Sequence, residues 1–277
     1  MSLSVSIKPN LNLLALSHAW AHEPSFKIYK DRGHFSLYLL EAMSRSPLPD
    51  FAYRGRKHPL QKPEAWYGDF SRNLKKYYRT HKKEIHDGLK VPEVKEAKYF
   101  PSQLLLLVES FGKDYQLPTR RVVLTPNVFG VKGEGYGPLI GDVAYAIFTP
   151  DSKKDQTWLM VHEVCHSLLL PVFKSRTVWG LIKDTEPLYK KWTTKKFREY
   201  YPKWEWAIEE YMIHAIEQRV TGSSLEEKRS WGMNRLGWFV KSWGVFQSRL
   251  KEESRLTVED WVIESLNYLK KKAPPFG

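Results

Sequence analysis

The chain has 277 residues, 42% of them hydrophobic, enough for one large domain or two small ones sharing a cleft. Lys and Arg outnumber Asp and Glu by 44 to 31; the resulting net charge of +13 admits an acidic or phosphate-bearing partner, but no RNP-type aromatic motif or Cys/His finger spacing accompanies it. The single cysteine, Cys165, excludes an intramolecular disulfide scaffold, and no apolar run is long enough to span a bilayer, so a cytoplasmic protein is expected.

The opening MSLSVSIKPNLNLL lacks the basic-then-apolar pattern of a secretory signal, and residues 2–8 alternate enough to predict a short strand. From there to about residue 117 the apolar spacing is mostly helical, most clearly in HFSLYLLEAM, WYGDFSRNLKKYYRTHKKEIHDGL and PSQLLLLVESF, which makes 1–118 a mainly helical N-terminal region. After Leu117-Pro118 the character changes. TRRVVLTP is β-branched, and VFGVKGEGYGPLIGDVAYAIFTP mixes glycines with an alternating apolar run, so a small hairpin or sheet is predicted over 119–149. Beyond Asp151 the pattern is helical again, with breaks at Pro171, Pro187, Pro202, Thr221-Gly222 and around Glu253 to Thr257. Residues 119–277 then form a second region, or share one compact domain with the first. A few strands followed directly by helices predict an α+β protein, mostly helical with a minor sheet, rather than a doubly wound one. Asn and Gln number only six each while Lys is abundant, a bias of proteins from hot environments.

The chemistry is concentrated in TWLMVHEVCHSLLL, where His162, Glu163 and His166 form H-E-x-x-H on a strongly helical segment with Asp155 near its start. Positions four apart share a helix face, so both imidazoles can reach one Zn²⁺ while Glu163 projects beside it as a general base. The apolar flanks predict a buried helix, in which two imidazoles and a carboxylate are costly without a compensating ion. The ordinary alternative is a pair of core histidines, each satisfied by a hydrogen bond. The run Val143 to Phe148 just before the helix is expected to be an edge strand able to take an extended peptide by strand addition. Cys165 is expected to point away from the ion into the core.

Catalytic zinc takes three protein ligands, and the helix KWEWAIEEYMIHAIEQRVT supplies candidates for the third. Glu210, His214 and Glu217 share one stripe of it. Glu210 is the first choice, with Glu209 and His214 as alternatives; the bland reading is a solvated acidic face. For the donor that stabilises a tetrahedral oxyanion, His214 comes first, followed by Tyr211, Tyr200 or Tyr201. Glu163 and His166 also read as the Glu-x-x-His of di-iron bundles, but no second such motif occurs.

These residues resemble a domain-of-unknown-function family of zinc metallopeptidases from bacteria and archaea, related to the gluzincins. The resemblance rests on His162-Glu163-x-x-His166-Ser167, followed some forty residues later by the helix pattern Trp206, Glu210, Ala215 and Arg219. SVSIKPNLNLLALSHAWA is similar to the family's opening strand and helix. The resemblance implies a zincin-like, gluzincin-type fold, with His162, His166 and Glu210 as zinc ligands and Glu163 as base. Two departures stand out: the family often has arginine where this chain has His214, and Asn-Pro where it has Leu170-Pro171.

The expected activity is therefore zinc-dependent cleavage of amide bonds in a peptide or protein substrate. The alternative from another class is a basic nucleic-acid-binding protein with a vestigial or structural HExxH, using its charge and eleven tryptophans. Trp238 and Trp243 recur at helix-face spacing and are better read as core. The Lys- and Trp-rich stretch from Val172 to Tyr201 lies between the two ligand helices, where a mobile lid is expected.

Overall fold

A computed structural model describes residues 3–9, 11–23, 65–89, 100–128, 135–150 and 156–272. The predicted helix HFSLYLLEAM and Asp155 lie outside the described residues. The protein is α+β, mostly helical with one small mixed sheet, as its sequence pattern predicts.

The chain opens with β1 (Ser4–Ile7) and α1 (Leu11–His22). The second predicted helix divides at His81 into α2 (Ala65–Thr80) and α3 (Lys82–Asp87), and α4 (Phe100–Glu109) follows. The sheet is completed by β2 (Arg121–Pro126), β3 (Gly135–Tyr136), β4 (Leu139–Ile140) and β5 (Val143–Phe148). β1 and β2 are parallel, with Ser4 opposite Arg121, and β2 and β5 are parallel, with Arg121 opposite Val143. The strand pairing thus crosses the expected boundary near residue 118, and the N-terminal residues are part of the sheet.

β3 and β4 run antiparallel to β5 in one continuous register: Gly135 faces Phe148, Tyr136 faces Ile147, Leu139 faces Ala144 and Ile140 faces Val143. Between the two halves the Tyr145 amide donates to the Pro138 carbonyl at 3.0 Å. They are two halves of one strand, joined to β5 by the two-residue turn Gly141-Asp142. Gly141 has φ 63°, the left-handed conformation a tight hairpin needs at its first central residue. Val143–Phe148 is therefore not the edge strand expected from its sequence. It is internal, flanked by β2 and by the β3–β4 strand, because the glycine-rich stretch folds back along it; the edge is residues 135–140.

Among the described residues nine helical segments follow the sheet, beginning with α5 (Thr157–Phe173), which carries H-E-x-x-H. Next come α6 (Arg176–Thr185), a 3-10 turn (Glu186–Leu188), α7 (Tyr189–Trp192) and α8 (Lys195–Tyr200). α9 (Trp204–Thr221), α10 (Leu225–Ser230), α11 (Leu236–Glu252) and α12 (Val258–Lys270) complete the described residues. The predicted break at Pro171 does not occur, since α5 runs on to Phe173. Pro171 sits exposed two residues from the helix end, so its missing N–H costs a single bond, and the Lys174 amide still reaches the Leu170 carbonyl at 3.0 Å. α9 closes where its sequence requires: Gly222 takes φ 73° and returns its amide to the Gln218 carbonyl.

α5 is the hub of the core, packed on β5, α4 and α9. Met160, Val161, Val164, Cys165, Leu168 and Leu169 are fully buried in one apolar cluster with Ile208, Met212 and Ile216 of α9. The Tyr115 hydroxyl, below α4, donates to the Leu168 carbonyl at 2.6 Å. Trp204, Trp243 and Trp261 are buried in that core, and Trp238 stacks on Tyr268. No helix among the described residues is long and apolar enough to cross a membrane.

Candidate metal centre

Burying two imidazoles and a carboxylate on α5 is expensive unless partners meet them, and α9 brings those partners. His162 and His166 lie one turn apart on α5, with their Nε2 atoms 3.1 Å apart. Glu210 of α9 faces both: Oε2 is 3.4 Å from His162 Nε2, and Oε1 is 3.4 Å from His166 Nε2. Four-coordinate zinc with bonds of about 2.0–2.1 Å holds its ligand atoms about 3.4 Å apart. The two imidazole nitrogens lie near that spacing, each is at it from one oxygen of Glu210, and one ligand atom from each of the three residues falls within 4.8 Å of the others, so His162, His166 and Glu210 can hold one ion. Two polar atoms of these three side chains, His162 Nδ1 and Glu210 Oε2, are buried without a hydrogen bond. An ion beside Oε2 would remove the second of these costs.

The surroundings fit the same ion. Glu209, the alternative third ligand, instead meets the far side of His166, its Oε1 2.9 Å from Nδ1. There it accepts the Nδ1 proton and leaves Nε2 with its lone pair toward the centre. Burial alone would lower the His166 imidazole, yet Glu209 and Glu210 raise it well above its ordinary value. Burial pushes the Glu210 carboxyl up, but His162 and His166 outweigh it and hold the group well below the ordinary carboxylate range. The pocket thus has a local demand for positive charge, which a divalent cation satisfies more fully than a proton.

Glu163 is buried beside this triad, and no donor among the described residues hydrogen-bonds its carboxylate. Burial raises its pKa; His162 and His166 oppose the rise and Glu210 reinforces it. The edge strand lies directly over it. A methyl group at Gly135 would stand 2.5 Å from Glu163 Oε1, and one at Gly137 would stand 1.7 Å from the Glu163 carbonyl oxygen. Only glycine permits this approach, and the Ser167 hydroxyl pins it by donating to the Gly137 carbonyl at 2.7 Å.

The His214 ring lies against that of His162 at a tilt of 35°, with ring centroids 4.2 Å apart, and its Nε2 is 3.6 Å from Glu210 Oε2. Its Nδ1 is 2.9 Å from Glu217 Oε2, and that carboxylate also pairs with Lys228 Nζ at 3.3 Å. Burial lowers the His214 imidazole to about 4, with His162 and Lys228 adding to the effect. Glu217 falls to about 2 because its bond to His214 and the charge of Lys228 overcome its burial. An ionised Glu217 accepts the Nδ1 proton of a neutral His214, so Nε2 carries only a lone pair. His162, His214 and Glu217 make a second donor group of metal-binding size. Glu217 is already occupied by His214, Lys228 and Thr221, however, which favours the triad of His162, His166 and Glu210.

Of the tyrosines considered, Tyr211 donates to the Trp192 carbonyl at 3.0 Å, Tyr200 is 70% exposed, and Tyr201 faces the centre. Burial, followed by the Glu210 and Glu163 carboxylates, raises the Tyr201 phenol, which remains a proton donor at neutral pH. Tyr201 ends the stretch where a lid is expected; that stretch is helical, and Val178, Leu188 and Phe197 anchor it in the core. Cys165 points into the apolar cluster, where burial pushes its thiol up.

Sequence reasoning missed Lys228. It is 1% exposed and lies between the rings of Trp158 and Trp231, 3.6 and 4.4 Å from their centroids. Its neighbours Glu226, Glu227 and Arg229 read as a solvated helix, and nothing in the local pattern marks one lysine as inward. No protein-family model matches the chain, and searches of characterised proteins and of solved structures find no match either.

Proposed function

We propose that this protein is a zinc-dependent hydrolase of the metallopeptidase type with a zincin-like arrangement, in which His162, His166 and Glu210 hold the ion. The observation that carries the proposal is the convergence of these three side chains, the imidazole Nε2 atoms 3.1 Å apart and each 3.4 Å from one oxygen of Glu210, beside the buried Glu163. When bound, the ion supplies the Lewis acidity that makes water a usable nucleophile near neutral pH and polarises an amide carbonyl.

The chain's own residues do the rest. Glu163 accepts the proton of the attacking water and passes it to the leaving amine. The edge strand 135–140 lies against Glu163, so an extended peptide pairing along it would bring a backbone carbonyl to the site. The oxyanion donor is Tyr201 rather than His214. A neutral His214 bound through Nδ1 to Glu217 has no proton left to donate from Nε2, whereas Tyr201 is a buried phenol close enough to Glu210 and Glu163 to be raised by both. His214 then acts on the ligand side, packing its ring against that of His162.

Zinc content and peptide hydrolysis, measured together, test this reading. Glu163→Gln should keep about one zinc per chain and lose hydrolysis by about 10²- to 10⁴-fold, whereas Glu210→Ala should lose the metal as well. Wild-type protein that takes up no zinc at His162 and His166 after dialysis against the ion would overturn the proposal.

A further inference from the structure

We infer that the N-terminal helices carry a second divalent-metal site, built from His18, His81 and Glu84 with His22 at its open side. It shares no residue with the centre on α5 and α9, and it does not depend on the hydrolase reading. Two local pairings create it. His18 and His22 are four apart on α1, the spacing that stacks two side chains on one helix face, and their ring centroids are 4.5 Å apart. His81 and Glu84 are three apart at the head of α3, with His81 Nδ1 2.8 Å from Glu84 Oε2.

The fold then docks one pair on the other. α1 packs against α2 and α3, and Asn127 just beyond β2 fixes α1 by donating to Ser17 Oγ at 3.0 Å, next to His18. His18 Nε2 comes to 3.7 Å from Glu84 Oε2, and the His18 and His81 rings lie 5.6 Å apart. One ligand atom from each of His18, His81 and Glu84 falls within 4.8 Å of the others, the dimension of a single coordination sphere.

The donors are also in the right chemical form. Tyr77 stacks on His81 with centroids 4.3 Å apart, and its hydroxyl is 2.9 Å from His18 Nδ1, which turns Nε2 toward Glu84 as an outer partner of a metal ligand does. Burial and the nearby His22 and His81 lower the His18 imidazole, which favours the neutral ring with a lone pair to give. Glu84 is held ionised, first by its bond to His81. His81 and Glu84 remain 33% and 61% exposed, so an ion can enter from solvent. Imidazoles with one carboxylate select zinc, cobalt, nickel or copper over magnesium or calcium. Such an ion would clip α1 to α3.

The experiment is a titration of full-length, chelator-stripped protein with Co²⁺ and Zn²⁺, followed by visible absorption and calorimetry. Wild type should bind two equivalents. Glu84→Gln and His81→Asn, both at partly exposed positions that leave the buried His18 in place, should each weaken one equivalent by at least about tenfold and retain native circular dichroism. A His162→Ala variant should keep the equivalent that these two lose. A wild type whose only equivalent vanishes in His162→Ala would overturn the inference, as would a second equivalent that neither Glu84→Gln nor His81→Asn moves. Loss of metal in Glu84→Gln with none lost in His162→Ala would support this site and sink the hydrolase reading.

Discussion

Lys228 is a long, charged side chain at a position with almost no solvent access, and its ammonium is met by one carboxylate and two indole faces. Removing one partner of a buried ion pair leaves the other uncompensated, at a cost of about 3–5 kcal/mol. Lys228→Met should therefore lower unfolding stability by that amount in urea titrations of metal-free protein, and adding Glu217→Gln should recover part of the loss. Equal stabilities for Lys228→Met and wild type would show that the pair is not formed. The same network sets an acid response. His214 is pushed below its unfolded value of 6.5 to about 4, and Glu217 below 4.5 to about 2, so in both cases the unfolded chain binds more protons. These two groups should consequently lower the stability of the metal-free protein as pH drops from about 6.5 toward 2, against the opposite contributions of Glu163 and His166, whose pKa values are raised; a His214→Asn variant with the same pH profile as wild type between 6.5 and 4 would contradict a buried, neutral His214. Tyr201→Phe should reduce kcat by about 10²- to 10³-fold with zinc content unchanged if its hydroxyl meets the oxyanion.

The strand formed by residues 135–140 acts on α5 through two glycines. Gly135→Ala would put a methyl group onto the Glu163 carboxylate, and displacing a catalytic group by even 1 Å can cost about 10²-fold in rate. The expected outcome is slower hydrolysis at near-normal zinc occupancy; unchanged kinetics would mean that the strand does not press on Glu163. Gly180 on α6 is the matched control, since an added Cβ there meets nothing within 4 Å. Gly180→Ala should stabilise the protein by about 0.5–1 kcal/mol, because alanine is the better helix former and loses less backbone freedom on folding.

For the whole molecule, the proposed zinc ion between α5 and α9 would link the positions of the two helices to metal occupancy. Zinc at a free concentration 100-fold above Kd would stabilise the folded chain by about 2.7 kcal/mol, a rise of roughly 5–10 °C in melting temperature. A chelator should reverse the rise, and a melting temperature indifferent to zinc would remove the link. The local signals in the sequence were sufficient for the helical segments after Asp151, the small sheet, the Gly222 stop and the placement of His162, Glu163 and His166 on one helix. Each depends on interactions within a turn or two of chain, where helical spacing, a left-handed glycine or β-branched alternation acts directly. They did not reveal that Val143–Phe148 is internal, that Pro171 is tolerated inside α5, or that Gly135 and Gly137 sit on Glu163. Nor did they separate the roles of Glu209 and Glu210, adjacent residues of one helix, or turn Lys228 inward. Those outcomes follow from which element packs against which: α9 crossing α5 points Glu210 between the imidazoles and Glu209 at the outer nitrogen, and desolvation in that contact, invisible along the chain, sets the charges.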